Sequence, residues 1–174
     1  MKFLIALLSL PLMAASEAPA PGIARYACGP NEVKFTVKAD PQRPPLAQAE
    51  PGKALVYVVE VYDRPLNELG KPTIRAGMDG TWMGANRSTS YLSFAVDAGE
   101  HHLCTDWQDV PRRIAGVRPS LTKFNAEAGQ TYYFQAHVVE YSLSLWSLDL
   151  QMVNEDEGRM LVETSPHSSF ALKK

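Results

Sequence analysis

Apolar and polar residues alternate along much of the chain with the period of two that marks strands half-buried in a sheet. Val33, Phe35 and Val37 alternate with Lys34, Thr36 and Lys38, which predicts a strand over 33–38. Residues 55–62 break the alternation. From Leu55 to Tyr62 nearly every residue is apolar, β-branched or aromatic, and only Glu60 interrupts. Such a run predicts a central strand covered on both faces. Strands over 73–78 and 81–84 flank Asp79-Gly80. That pair suits a two-residue type I′ turn, in which both central residues need positive φ. Leu92, Phe94 and Val96 mark the next strand, and Ala98-Gly99 turns the chain into another over 100–107. A short strand over 121–126 and a turn at Gly129 follow. Tyr132, Phe134, Ala136 and Val138 then form one face of a long strand, and Trp146, Leu148, Leu150 and Met152 one face of another.

The period changes after residue 153. Asn154 is a good N-cap, Glu157 completes a capping box, and Glu155 and Asp156 suit the positive end of a helix dipole. Met160 and Leu161 are expected to dock this helix on the sheet, and Pro166 ends it. Proline-rich connectors separate the strands at 39–52 (Pro41, Pro44, Pro45, Pro51) and 63–72 (Pro65, Pro72). A basic loop over 108–119 carries Arg112, Arg113 and Arg118. There is no internal repeat. The pattern predicts a mostly β fold: an antiparallel β-sandwich or open barrel of about eight strands with one short C-terminal helix.

The first residues do not belong to that pattern. Met1 and Lys2 precede an apolar run over 3–13, and Ala14, Ala15 and Ser16 follow. This is the layout of a secretory signal peptide over 1–15. The run is shorter than the roughly 20 residues a membrane-spanning helix needs, so no transmembrane segment is expected in the mature protein. No cysteine ends the run, so a lipid anchor is not indicated. Residues 16–31, rich in Ala, Pro and Gly, read as an N-terminal arm, and 32–174 as a single β domain. The expected location is periplasmic or secreted.

Export changes the meaning of the two cysteines. In an oxidising compartment Cys28 and Cys104 have one pairing open to them. A bridge closing so long a loop contributes about 4–5 kcal/mol in the chain-entropy view. Two separate buried thiols are the alternative. A third reading is a metal site, because His102 and Cys104 share one strand face and Cys28 could join them, while His101 points the other way.

With 17 basic and 19 acidic residues, the net charge of −2 is spread thinly over 174 residues. A nucleic-acid binder would need a basic surface, so nucleic acid is not an expected partner. The chain carries no nucleophile elbow, zinc-protease helix, P-loop or dinucleotide fingerprint. His137 shares a strand face with Tyr133, Gln135 and Tyr141. Asp106 and Asp109 flank Trp107, an arrangement open to reading as a sugar platform or as a core tryptophan. Glu155-Asp156-Glu157 suits a helix N-terminus better than calcium, and Asn86-Arg87-Ser88 matches the N-glycosylation pattern.

Five segments carry a resemblance. Gly52-Lys-Ala-Leu-Val-Tyr-Val-Val, Met78-Asp-Gly-Thr-Trp-Met-Gly-Ala-Asn and Ser90-Tyr-Leu-Ser-Phe-Ala-Val-Asp-Ala-Gly-Glu-His-His-Leu-Cys follow in that order. Phe124-Asn-Ala-Glu-Ala-Gly-Gln-Thr-Tyr-Tyr-Phe and the acidic helix from Asn154 come after them. Over roughly 26–174 the chain resembles the bacterial family called domain of unknown function 2846. The resemblance implies an exported envelope protein and transfers no catalytic residue, metal or cofactor.

The expected function is therefore a non-catalytic binding or structural module of the bacterial envelope. Its expected partner is an envelope protein or glycan, met at the 107–119 loop or the 79–91 hairpin through Arg112, Arg113 and Arg118 with Trp82, Tyr91 and Trp107; the other reading of Trp82 and Trp107 is that they are core residues. The alternatives are a periplasmic metal-binding protein and a hydrolase with an unrecognised site.

Overall fold

A computed structural model of the chain describes residues 27–41, 44, 46–62, 72–109, 117–142 and 145–174. Among them run β1 (Phe35–Asp40), β2 (Lys53–Tyr62), β3 (Thr73–Met78), β4 (Thr81–Arg87) and β5 (Tyr91–Asp97). They continue with β6 (Gly99–Trp107), β7 (Ser120–Ala126), β8 (Thr131–Ser142), β9 (Leu145–Val153), α1 (Glu155–Thr164) and β10 (His167–Leu172). The strands form a six-stranded sheet, β1-β10-β5-β2-β8-β9, and a four-stranded sheet, β4-β3-β6-β7. The two sheets do not close into a barrel, and the fold is sandwich-like, mostly β, with one short helix among the described residues.

The apolar layer between the sheets explains the alternation in the sequence. Ala54, Val56 and Val58 of β2 and Phe134, Ala136 and Val138 of β8 face Ile74, Ala76, Leu103 and Phe124 from the smaller sheet. The opposite face of β2 is also covered. Leu55, Tyr57 and Val59 pack with Tyr91, Tyr133 and Val162 under α1. That second layer is why β2 lacks alternation. Asp79 (φ 49°) and Gly80 (φ 84°) make the expected left-handed hairpin turn between β3 and β4.

The six-stranded sheet is mixed rather than wholly antiparallel. β2 runs parallel to β8 from Leu55↔Thr131 to Tyr62↔Val138, and β10 meets β5 in parallel at His167↔Tyr91. Between β2 and β8 the chain crosses twice to the smaller sheet, so these neighbours are not joined by a hairpin. β10 has no counterpart among the strands expected from sequence. It pairs with β1 from Phe35↔Leu172 to Asp40↔His167, and that pairing places β1 at 35–40 rather than 33–38.

Helix α1 begins as expected, with Asn154 Oδ1 accepting from the Glu157 amide at 3.0 Å. Its docking face differs from the expectation. Met160 is exposed, while Gly158 and Val162 are buried and Leu161 packs beside them. Positions 158, 161 and 162 share a helical face, and 160 lies off it. Gly158 lets the helix approach: a Cβ there would lie 2.2 Å from the Tyr133 ring.

Candidate functional site

Most polar side chains in the interior are paired, and among the described residues the exceptions other than Arg75 Nε and Thr105 Oγ1 are concentrated at one end of the sandwich. Glu60 breaks the apolar run of β2 on the face shared by Val56 and Val58. It is fully buried, and neither carboxyl oxygen has a hydrogen-bond partner. Burial holds its carboxyl well above the usual carboxylate range, because an isolated charge is costly away from water. Two residues on, the buried Tyr62 hydroxyl is also unpaired.

The strand registers extend this arrangement in rows. Glu60 pairs with Ala136, which pairs with Leu150; Tyr62 pairs with Val138, which pairs with Leu148. One row further out, Trp146 stands opposite Glu140, and its buried indole N–H is unpaired. The smaller sheet contributes Asn86 and Trp107, which flank Ile74 on its two sides. Asn86 donates from Nδ2 to the Val58 carbonyl at 2.9 Å, across the sandwich. Its Oδ1 and the Trp107 Nε1 have no partner. Native interiors leave few polar atoms in this state, so a concentration of them calls for an explanation.

The opposite, outer face of the smaller sheet carries the described end of the N-terminal arm, residues 27–31. Cys28 and Cys104 are joined, with Cα atoms 5.2 Å apart. The bond takes both thiols out of the metal reading. Around it pack Ala27, Trp82, Ala85, Phe35 and Val37. Trp82 Nε1 donates to the Pro30 carbonyl at 2.7 Å. Arg75, buried on this face, donates to the carbonyls of Val33 (2.9 Å) and Asn31 (3.3 Å) and to Asp106 Oδ2 (2.7 Å). Its guanidinium lies 4.2 Å from the centre of the Trp82 ring. A cleft of about 490 Å³ runs beside the arm, with Cys28, Asn31, Glu32, Asp106 and Pro119 in its walls.

The histidines do not assemble into a site. His101 Nδ1 lies 2.6 Å from Asp79 Oδ2, and its Nε2 lies 2.8 Å from the Asp97 carbonyl. The pair ties the Asp79-Gly80 turn to the Asp97–Gly99 turn. His102 is on the other face of β6, its amide bonded to Asp79 Oδ1 at 2.8 Å. His137 is in the other sheet, opposite Val61 and Asp149. Among the described residues no three His, Cys, Asp or Glu side chains are grouped as a metal would require.

Several expected surface features prove to be structural. Trp82, Tyr91 and Trp107 are buried, so they do not form an aromatic recognition surface on the 79–91 hairpin. Trp107 is not a sugar platform either. Its inward face joins the core, while Asp106 holds Arg75 and Asp109 holds Lys34 at 2.8 Å. Asn86 is buried with its amide committed, so the Asn-Arg-Ser sequence is not an accessible glycan acceptor. Glu155, Asp156 and Glu157 occupy the first turn of α1. Arg112 and Arg113 lie outside the described residues, as do 1–15 and most of the 16–31 arm. Arg118 is exposed. Glu60 and Arg75 carry no weight in the sequence reading. Their signal was a lone charge inside a strand otherwise rich in apolar or small residues.

No helix among the described residues is long and apolar enough to cross a membrane. No protein-family model matches the chain, and neither a curated protein nor a solved structure does.

Proposed function

We propose that this is an exported bacterial envelope protein, of the kind grouped as domain of unknown function 2846, that works by binding rather than by catalysis. The observation that carries the binding reading is the unpaired polar end at Glu60, Tyr62, Asn86, Trp107 and Trp146. The other polar groups suited to acid–base work are engaged elsewhere: Asp79 and His101 tie two turns together, and Asp106 and Arg75 hold the arm. Export is supported by the sequence of residues 1–16 and by the Cys28–Cys104 bond, since disulfides persist in oxidising compartments.

The end that holds Glu60 is also the end from which β6 leaves at Trp107 and to which β7 returns at Ser120. Arg118, exposed two residues before β7, is therefore on that side of the sandwich. An envelope protein or glycan is the partner that this reading places there.

Two measurements test the proposal. Mass spectrometry of protein from its native host should find a mature N-terminus near Ser16 or Glu17, and intact Met1 in cytoplasmic material would overturn export. Purified protein should turn over no substrate in a hydrolase panel. Turnover lost in His101→Ala or His137→Ala would overturn the non-catalytic reading.

A further inference from the structure

The chemistry of the unpaired atoms points to a class of ligand. Glu60 brings two acceptor oxygens with no cation beside them among the described residues, and Asn86 Oδ1 adds another. The Tyr62 hydroxyl can accept or donate. The unpaired groups that can only donate are the indole N–H groups of Trp107 and Trp146. Acceptor-only oxygens thus outnumber donor-only nitrogens, and the two ionisable groups among them, Glu60 and Tyr62, are both acids. The same residues supply three aromatic rings, whose faces attract cations. In the Glu60 row the neighbour on β8 is Ala136, the smallest side chain of the three.

Ordered water could serve some of these atoms, but water does not neutralise a carboxylate. A primary ammonium group does, and it also supplies three donors. Resting on the reading of this end as the binding end, we propose that the sandwich interior at Glu60 is a site for a small primary ammonium ligand. The ammonium is expected to donate to Glu60 and Asn86, with its apolar body against Tyr62, Trp107 and Trp146. Burial raises the pKa of the empty carboxyl; a bound ammonium would favour the carboxylate instead.

Tryptophan supplies an internal control. Of the three indoles, Trp82 is bonded to Pro30 on the far side of the smaller sheet, and the other two are unpaired. Butylammonium chloride titrated into the disulfide-bonded mature protein should shift the Trp107 and Trp146 indole N–H resonances saturably and leave that of Trp82 in place. Butanol and butyrate should shift none. Glu60→Gln, which keeps the shape of the side chain, should weaken butylammonium binding at least tenfold. Should that variant fail to fold, Tyr62→Phe should weaken binding too. Equal shifts with butanol would overturn the ammonium class while leaving a binding end in place. Undiminished binding by Glu60→Gln, shifts confined to Trp82, or no saturation at millimolar butylammonium would overturn the site.

Discussion

His101 Nδ1 and Asp79 Oδ2 lie 2.6 Å apart, and the second nitrogen of the same ring faces the Asp97 carbonyl at 2.8 Å. Both ring nitrogens meet acceptors, which only the doubly protonated imidazolium can satisfy. Burial opposes the charge, but the Asp79 hydrogen bond and then the Asp97 carbonyl outweigh it and raise the pKa above the ordinary 6.5. The folded state therefore holds this proton more tightly than the unfolded chain does. Its contribution to stability is fully present below about 6.5 and is lost as pH rises through the raised value. Thermal melts across that window should show a falling midpoint, and His101→Gln should flatten this part of the profile. An unchanged slope in the variant would refute the assignment.

Glu60 acts in the same direction by a different cause. Its folded pKa is raised by burial, so the folded state binds its proton more tightly and stability falls as pH climbs above about 4.5. Glu60→Leu should remove that loss and stabilise the protein by about 1–3 kcal/mol near neutral pH, since a buried unpaired polar group is eliminated. Urea unfolding at two pH values measures both effects. A destabilised Glu60→Leu with no change in slope would contradict the burial argument.

The Cys28–Cys104 bond joins the arm to β6 across a sequence separation of 76. Cys28→Ala should cost about 2–5 kcal/mol. Because the arm covers Trp82, the loss should be accompanied by a red shift in tryptophan emission. Labelling of the denatured, unreduced wild type should find no free thiol.

Arg75 holds the same arm through carbonyls and Asp106. Arg75→Ala leaves Asp106 without its cation and removes the ring contact with Trp82. A loss of about 3–5 kcal/mol is expected, as for breaking a buried ion pair from one side. An effect below about 1 kcal/mol would show that the disulfide alone retains the arm.

Much of the framework was determined locally and so was legible in the residues themselves. The alternation around Phe94 and Phe134, the positive-φ turn at Asp79-Gly80 and the Asn154 cap each depend on neighbours a few positions away. The Cys28–Cys104 pairing was open to sequence because two cysteines in an oxidising setting have one partner each. Tertiary structure decided the rest. β10 became a strand because β1 offered it an edge, although Ser168, Ser169 and Ala171 have little strand character. The parallel β2–β8 pair arose from two crossings between sheets, which no local window contains. Glu60 looked like one polar interruption in an apolar run. Its isolation comes from what surrounds it: Ala136 beside it, and Asn86 reaching over from the other sheet to bond Val58 instead. Whether a buried polar group finds a partner depends on contacts between distant segments, so that information exists only once the two sheets have packed.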